Sequence, residues 1–134
     1  MSWLRRRRLP DDLRAPQRAF VAVLGEVEPA KAALTDVMPT TRMPGRPLPD
    51  ALWEFDDRLA RAHELMPPWR VPQTEDVWSA CEAGVVEARA RARRFREEAP
   101  DLGGFEGLIW AVEHLMDPLG AFEGAASRFE ELRA

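Results

Sequence analysis

The sequence is short of the residue types on which most catalytic and metal sites depend. It contains one cysteine, two histidines, one lysine and no tyrosine among 134 residues. A lone cysteine excludes an intramolecular disulfide and is typical of the reducing cytosol, so we expect a cytoplasmic location. No apolar run approaches the roughly 18 residues that span a bilayer, and no apolar stretch follows the N-terminal charges, so we expect neither a transmembrane segment nor a secretory signal.

The net charge of −4 conceals an uneven distribution along the chain. Residues 1–18 carry six arginines against two aspartates, whereas residues 101–134 carry seven acidic side chains against two arginines. The two ends therefore have opposite sign and attract each other, either within the fold or between subunits. A chain of this length with 46% hydrophobic residues indicates one domain with a core of its own.

The clearest pattern lies in the last third of the chain, where apolar side chains recur in steps of three and four. This spacing predicts one buried stripe on a helix, which other helices must cover. The stripe keeps its phase across Pro118, which favours one kinked helix over two separate helices. Its members are Phe105, Leu108, Ile109, Val112, Leu115, Met116, Leu119, Phe122, Ala126, Phe129 and Leu132.

Three further helical segments precede this one. A proline-rich linker over residues 39–49 separates the first two, and Thr74 is the predicted N-cap of the third. We therefore predict an all-α fold, a four-helix up-down antiparallel bundle with proline kinks near Pro29 and Pro118. Residues 1–15 form a basic tail with an initial turn, and residues 16–134 form a single bundle domain.

The two histidines do not match the metal-binding pattern of helical bundles. A Glu-x-x-His motif would need an acid at position 60 or 111, and both positions hold alanine. No metal or other cofactor is predicted, and no catalytic residues are assigned. His63 and His114 remain polar anchors of a pocket only if they approach each other across the core.

Cys81 is in phase with the buried stripe of its helix, so its thiol is expected to be an inert core group.

Four of the five tryptophans are candidates for a partner or ligand groove. Trp53, Trp78 and Trp110 each neighbour a core position on a different helix, and Trp69 lies in a proline-framed loop. Large aromatic side chains with a polar tip are common at interfaces and in pockets. The competing interpretation is that all four complete a small core.

The arginine run Arg5, Arg6, Arg7 and Arg8 is the sharpest charge feature of the chain. Such a run contacts nucleic-acid phosphates or an anionic membrane surface in other proteins. Four charges are few, however, and the acidic remainder of the chain disfavours both nucleic acid and membrane as partners. The competing interpretation is a solvated tail or a tail docked on the acidic last helix.

These observations favour a non-catalytic role. The leading hypothesis is a small cytosolic helical interaction module that self-associates as a homo-oligomer or binds a protein partner. A first alternative is a bundle that binds an apolar small molecule or a metal ion, a class of proteins that includes enzymes. A second alternative is an arginine-tail tether to membrane or nucleic acid.

Overall fold

Residues 8–133 are described by the computed structural model, and this part of the chain is helical without a β-strand. The all-α class predicted from the sequence is confirmed. The α-helices are α1 (Arg14–Thr35), α2 (Leu48–Glu64), α3 (Glu75–Glu98), α4 (Phe105–Met116) and α5 (Ala121–Glu131). Short 3-10 segments lie at Asp11–Leu13, Pro67–Trp69 and Asp117–Gly120.

The region around Pro118 differs from the prediction of one continuous, kinked helix. The chain leaves α-helical geometry at Asp117, passes through a 3-10 turn, and resumes an α-helix at Ala121. A proline lacks a backbone donor and its ring clashes with the preceding turn, so the tighter 3-10 geometry replaces the α-helix there. Pro29, by contrast, lies inside α1, which does not restart at this residue.

The 3-10 turn at Pro118 packs closely on α3 because α3 has a glycine at the contact. A Cβ added to Gly84 would overlap the carbonyl oxygen of Pro118. The missing side chain lets the two backbones approach each other, which is a position that only glycine tolerates without a shift. The sequence predicted a kink at Pro118, but neither the interruption of the α-helix nor the packing of the turn on α3.

The helices share one core. α1 packs on α2, α2 on α3, and α3 on both α5 and the preceding 3-10 turn. The contacts between α2 and α3 run in opposite sequence order. Asp56 of α2 contacts Arg89 of α3, and His63, later in α2, contacts Glu82, earlier in α3. The initial segment also joins this core, since Leu9 is 5% exposed.

An aromatic cluster closes one end of the core. The ring centroids of Phe20 and Trp69 are 4.9 Å apart, those of Phe20 and Phe129 5.0 Å, and those of Trp69 and Trp78 6.4 Å. Edge-to-face and offset pairs of this kind stabilise a core beyond the effect of area alone. The cluster joins α1, α3, α5 and the 3-10 segment before α3.

The start of α3 is held by a side chain that does not act as predicted. Thr74 occupies the N-cap position, but its hydroxyl forms no cap hydrogen bond. It donates instead to the carbonyl oxygen of Trp69 at 2.6 Å, and the indole nitrogen of Trp78 donates to the carbonyl oxygen of Met66 at 2.9 Å. These two bonds fix the connection between α2 and α3 on the core.

Candidate functional site

The four candidate tryptophans separate into two pairs. Trp69 and Trp78 are 0% and 3% exposed, so they belong to the core and do not line a surface groove. Trp53 and Trp110 are 64% and 55% exposed. Burial of a tryptophan is the usual outcome in a small domain, so the two exposed rings are the informative ones.

The two exposed tryptophans are linked through a third aromatic ring. Phe95 of α3 lines a depression together with Trp53 of α2, and its ring centroid lies 6.1 Å from that of Trp110 on α4. The imidazole of His114 stacks on Trp110 with centroids 4.9 Å apart and planes inclined by 11°. We call Trp53, Phe95, Trp110 and His114 the aromatic patch.

The depression beside Trp53 has a volume of about 310 Å³. Its walls come from the start of α2 and the end of α3, and most of them are apolar: Leu48, Pro49, Leu52, Trp53, Phe95, Arg96, Ala99 and Pro100. This volume is at the lower limit of pockets that hold a small ligand. It fits one or two apolar side chains of another protein equally well.

Arg96, which lines this depression, belongs to a group of three charged side chains with Asp56 and Arg89. Asp56, the only acid buried among residues 8–133, accepts a hydrogen bond from Nε of Arg89 at 2.7 Å, and Nη1 of Arg96 lies 3.5 Å from its second oxygen. The guanidinium of Arg96 then lies over the ring of Trp53, 4.1 Å from the ring centroid. Stacking with a cation leaves the other face of this indole to solvent.

The two histidines are not brought together as pocket anchors. Nε2 of His63 lies 3.1 Å from the carboxylate of Glu82, whereas His114 contacts Arg91, whose Nη1 donates to the carbonyl oxygen of His114 at 2.8 Å. Glu82 and Arg91 are nine positions apart on α3, which corresponds to about 13 Å along a helix axis. Neither histidine lines the depression beside Trp53.

The surroundings of His114 favour the uncharged form of its ring. Burial lowers the pKa of His114, and the positive charges of Arg91 and Arg94 lower it further. A neutral imidazole stacked on an indole behaves as an extension of the aromatic surface. Its contribution to the patch is therefore apolar contact area rather than charge.

Other candidate groups have simple structural roles. Cys81 is buried, and burial raises the pKa of its thiol to about 12, so the thiolate is not available near neutral pH.

Within residues 8–133, no three side chains of His, Cys, Asp or Glu are arranged to hold a metal ion. In the same range, no helix is long and apolar enough to cross a membrane.

The arginine run lies mostly outside the described residues. Arg5, Arg6 and Arg7 precede them, and Arg8 is the first residue whose surroundings are defined. Arg8 lines a shallow depression at the start of α1.

Comparison of the chain with protein families, with curated proteins and with solved structures gives no significant match. The residues themselves must therefore carry any functional argument.

Proposed function

We propose that this protein is a helical interaction module that self-associates through the aromatic patch, with a second copy of the chain as the occupant. The observation that carries the proposal is the exposure of Trp53 and Trp110 on either side of Phe95. Exposed tryptophans are typical of interface anchors, and here both lie next to the buried ring of Phe95. Exposure of two such rings to water is unfavourable, which favours a surface that a partner covers.

The composition of α4 supports the proposal. Of its 12 residues, only Glu106, Glu113 and His114 have polar side chains. A helix that is apolar on nearly all sides is expected to be covered on all sides. Its buried residues are nevertheless only Ala111, Val112 and Leu115, and Phe105 is 56% exposed.

The charges at the borders of the patch favour a second copy over an unrelated partner. Arginines of α3, Arg91 and Arg94, lie on one side of Trp110 and His114, and α4 carries the exposed acids Glu106 and Glu113. A two-fold axis parallel to these helices would place α3 of each copy opposite α4 of the other. Basic and acidic borders would then face each other twice, as an isologous interface requires.

The surface area is consistent with a small dimer interface. Two tryptophans with these exposures provide about 300 Å² of accessible surface. A stable interface needs about 800 Å² from each partner, roughly a tenth of the 8414 Å² that the described chain exposes. The remaining area would come from Phe105 and the half-buried side chains of α4.

The arrangement and location expected from the sequence remain part of this proposal. An up-down antiparallel bundle is supported by the opposite order of the contacts between α2 and α3 and by the short connections between consecutive helices. A cytosolic location is supported by the single cysteine, which is buried.

The test is native mass spectrometry combined with light scattering over a range of concentrations. We expect a dimer for the natural sequence and a monomer for Trp53→Ser and for Trp110→Ser. The matched control is Val21→Ser, which replaces another exposed apolar residue, 58% exposed on α1. A monomer at all concentrations would contradict self-association, and a retained small-molecule mass would support a ligand in the depression instead.

A further inference from the structure

Arg96 is held in place without forming a hydrogen bond. Its guanidinium stacks on the ring of Trp53, and its Nη1 lies 3.5 Å from a carboxylate oxygen of Asp56, yet it donates no hydrogen bond to any residue in the described range 8–133. The side chain is nevertheless only 23% exposed. A guanidinium carries five N–H donors, and at this degree of burial they are normally paired. Nη1 is buried, whereas Nε and Nη2 are not, so these two nitrogens are accessible donors without an acceptor.

The charge around Arg96 is not balanced. Arg89 and Arg96 both face Asp56, and Arg89 already donates a hydrogen bond to this carboxylate at 2.7 Å. Two guanidinium groups thus share one acid. Within the described part of the chain, Arg96 is also the only charged residue that lines the depression beside Trp53. Since α2 begins and α3 ends at this depression, the opposite ends of their dipoles offset each other, and Arg96 makes the local potential positive.

We propose that the depression beside Trp53 binds a small carboxylic acid with an apolar body, whose carboxylate accepts hydrogen bonds from Arg96. A guanidinium can present two parallel N–H donors to the two oxygens of a carboxylate, and such charge-assisted bonds are the strong ones. The walls supplied by Leu52, Phe95 and Pro100 suit an aromatic ring or a short alkyl chain. The volume of about 310 Å³ encloses a body of that size and not a long acyl chain.

The single arginine of this wall favours a carboxylate over a phosphate group. A phosphate monoester carries about −1.5 to −2 charges at neutral pH, which one guanidinium does not neutralise. A carboxylate carries one charge, and Arg96 supplies one in return.

Every residue of this site belongs to one chain, so ligand binding does not rest on self-association. The depression nevertheless overlaps the surface that we assign to the second copy, because Trp53 and Phe95 belong to the aromatic patch. A bound acid fills space that apolar side chains of the second copy would otherwise take. The ligand and the second copy therefore compete for the depression.

The test is isothermal titration calorimetry of the full chain at neutral pH with 4-phenylbutyrate, and with its uncharged amide as the matched ligand. We expect saturable binding of the acid, and binding of the amide that is at least about tenfold weaker, the effect of losing one charge-assisted hydrogen bond. Arg96→Lys should weaken binding of the acid by a similar factor, because an ammonium keeps the charge but not the paired donors. The comparison of acid and amide needs no variant, so it does not depend on the stability of Arg96→Lys.

The matched control is Arg93→Lys, since Arg93 is exposed on α3 three positions before Arg96 and does not line the depression. It should bind the acid as the natural protein does. Trp110→Ser separates ligand binding from self-association, because this variant keeps every residue that lines the depression and should bind the acid at least as tightly as the natural protein. A natural protein that binds the acid but is monomeric without it would contradict self-association alone.

Four outcomes would overturn the carboxylate site: no binding, equal affinity for acid and amide, equal loss of affinity in both arginine variants, or loss of binding in Trp110→Ser. Tighter binding of inorganic phosphate than of 4-phenylbutyrate would assign the depression to phosphate and would likewise contradict the proposal.

Discussion

The guanidinium carbon of Arg96 lies 4.1 Å from the centroid of the Trp53 ring, and the same guanidinium faces the buried carboxylate of Asp56. One side chain thus joins a buried acid to an exposed aromatic ring. The arrangement holds the indole in place at the mouth of the depression. It explains how a tryptophan that is 64% exposed is kept in a defined position.

This pairing leads to a first prediction, which a double-mutant cycle tests. Trp53→Ala should lower the free energy of unfolding by less than about 1 kcal/mol, because the ring is mostly exposed. Arg96→Ala should cost more, since Asp56 then keeps only Arg89 as a partner. The coupling between the two substitutions should be about 0.5–1 kcal/mol.

The measurement is urea denaturation of the natural protein, both single variants and the double variant at one low protein concentration. Lys31→Ala serves as a reference for the loss of a basic residue from another helix. A coupling energy indistinguishable from zero would show that the stacking does not position Trp53.

A second prediction concerns two helical glycines with opposite surroundings. Gly84→Ala should destabilise the protein by about 1–3 kcal/mol, because the new Cβ overlaps the carbonyl oxygen of Pro118. Gly25→Ala should stabilise it by about 0.5–1 kcal/mol, because Gly25 is exposed in α1 and an added Cβ meets nothing within 4 Å.

Thermal melts followed by circular dichroism check this pair. The same substitution in two helices then changes the melting temperature in opposite directions. A stable Gly84→Ala variant would mean that the 3-10 turn at Pro118 does not pack on α3 as described.

The sequence predicted the helices well because their apolar stripes are long and regular. Cys81, Val85, Ala88, Ala92 and Phe95 are buried in steps of four and three, as the periodicity of α3 indicates. The interruption of the α-helix at Pro118 was less predictable. The apolar stripe continues in phase through the 3-10 turn, with Leu119 and Phe122 buried. Phase alone does not reveal whether the hydrogen bonds of a helix are continuous.

The burial or exposure of each tryptophan could be predicted only in part. Trp53 stands two positions before Phe55, so it faces away from the core stripe of α2, and exposure was foreseeable from phase. Trp78 was ambiguous, since Val77 and Trp78 stand four and three positions before Cys81 and both fit the stripe. The patch itself depends on which helices are neighbours, and local periodicity does not contain that information.

A third prediction separates the two buried tryptophans. The indole nitrogen of Trp78 donates to the carbonyl oxygen of Met66, whereas the indole nitrogen of Trp69 is buried without a hydrogen-bond partner among residues 8–133. Trp69→Phe therefore loses volume but no hydrogen bond, and should cost about 1 kcal/mol. Trp78→Phe removes this donor from the Met66 carbonyl, which still accepts from the backbone N–H of Trp69 at 3.2 Å, and should cost about 0.5–1.5 kcal/mol more.

Equilibrium unfolding in guanidinium chloride, followed by circular dichroism, compares the two variants. Trp69→Ala is the control for burial, with an expected loss of about 3–5 kcal/mol. The prediction fails if Trp69→Phe proves as costly as Trp78→Phe, because the hydrogen bond would then contribute nothing.

A fourth prediction concerns acid stability and the contact between α5 and α3. Arg128 donates hydrogen bonds to both carboxylate oxygens of Asp76, at 2.8 and 2.9 Å, and these bonds lower the pKa of Asp76 from 3.8 to about 2. A carboxyl group whose pKa is lower in the folded state stabilises the protein fully at pH values above its unfolded pKa. That stabilisation is lost as the pH falls from 3.8 towards about 2.

The measurement is the melting temperature as a function of pH for the natural protein, Asp76→Asn and Arg128→Gln. Asp76→Asn should melt lower than the natural protein near neutral pH, and the difference should shrink as the pH approaches about 2, where the natural carboxyl group is itself protonated. Arg128→Gln should converge only in part, because Arg128 also donates to the carbonyl oxygen of Gln73 at 2.9 Å, a bond that does not depend on the protonation of Asp76. A difference in melting temperature that is independent of pH would mean that the charge pair does not join α5 to α3 in solution.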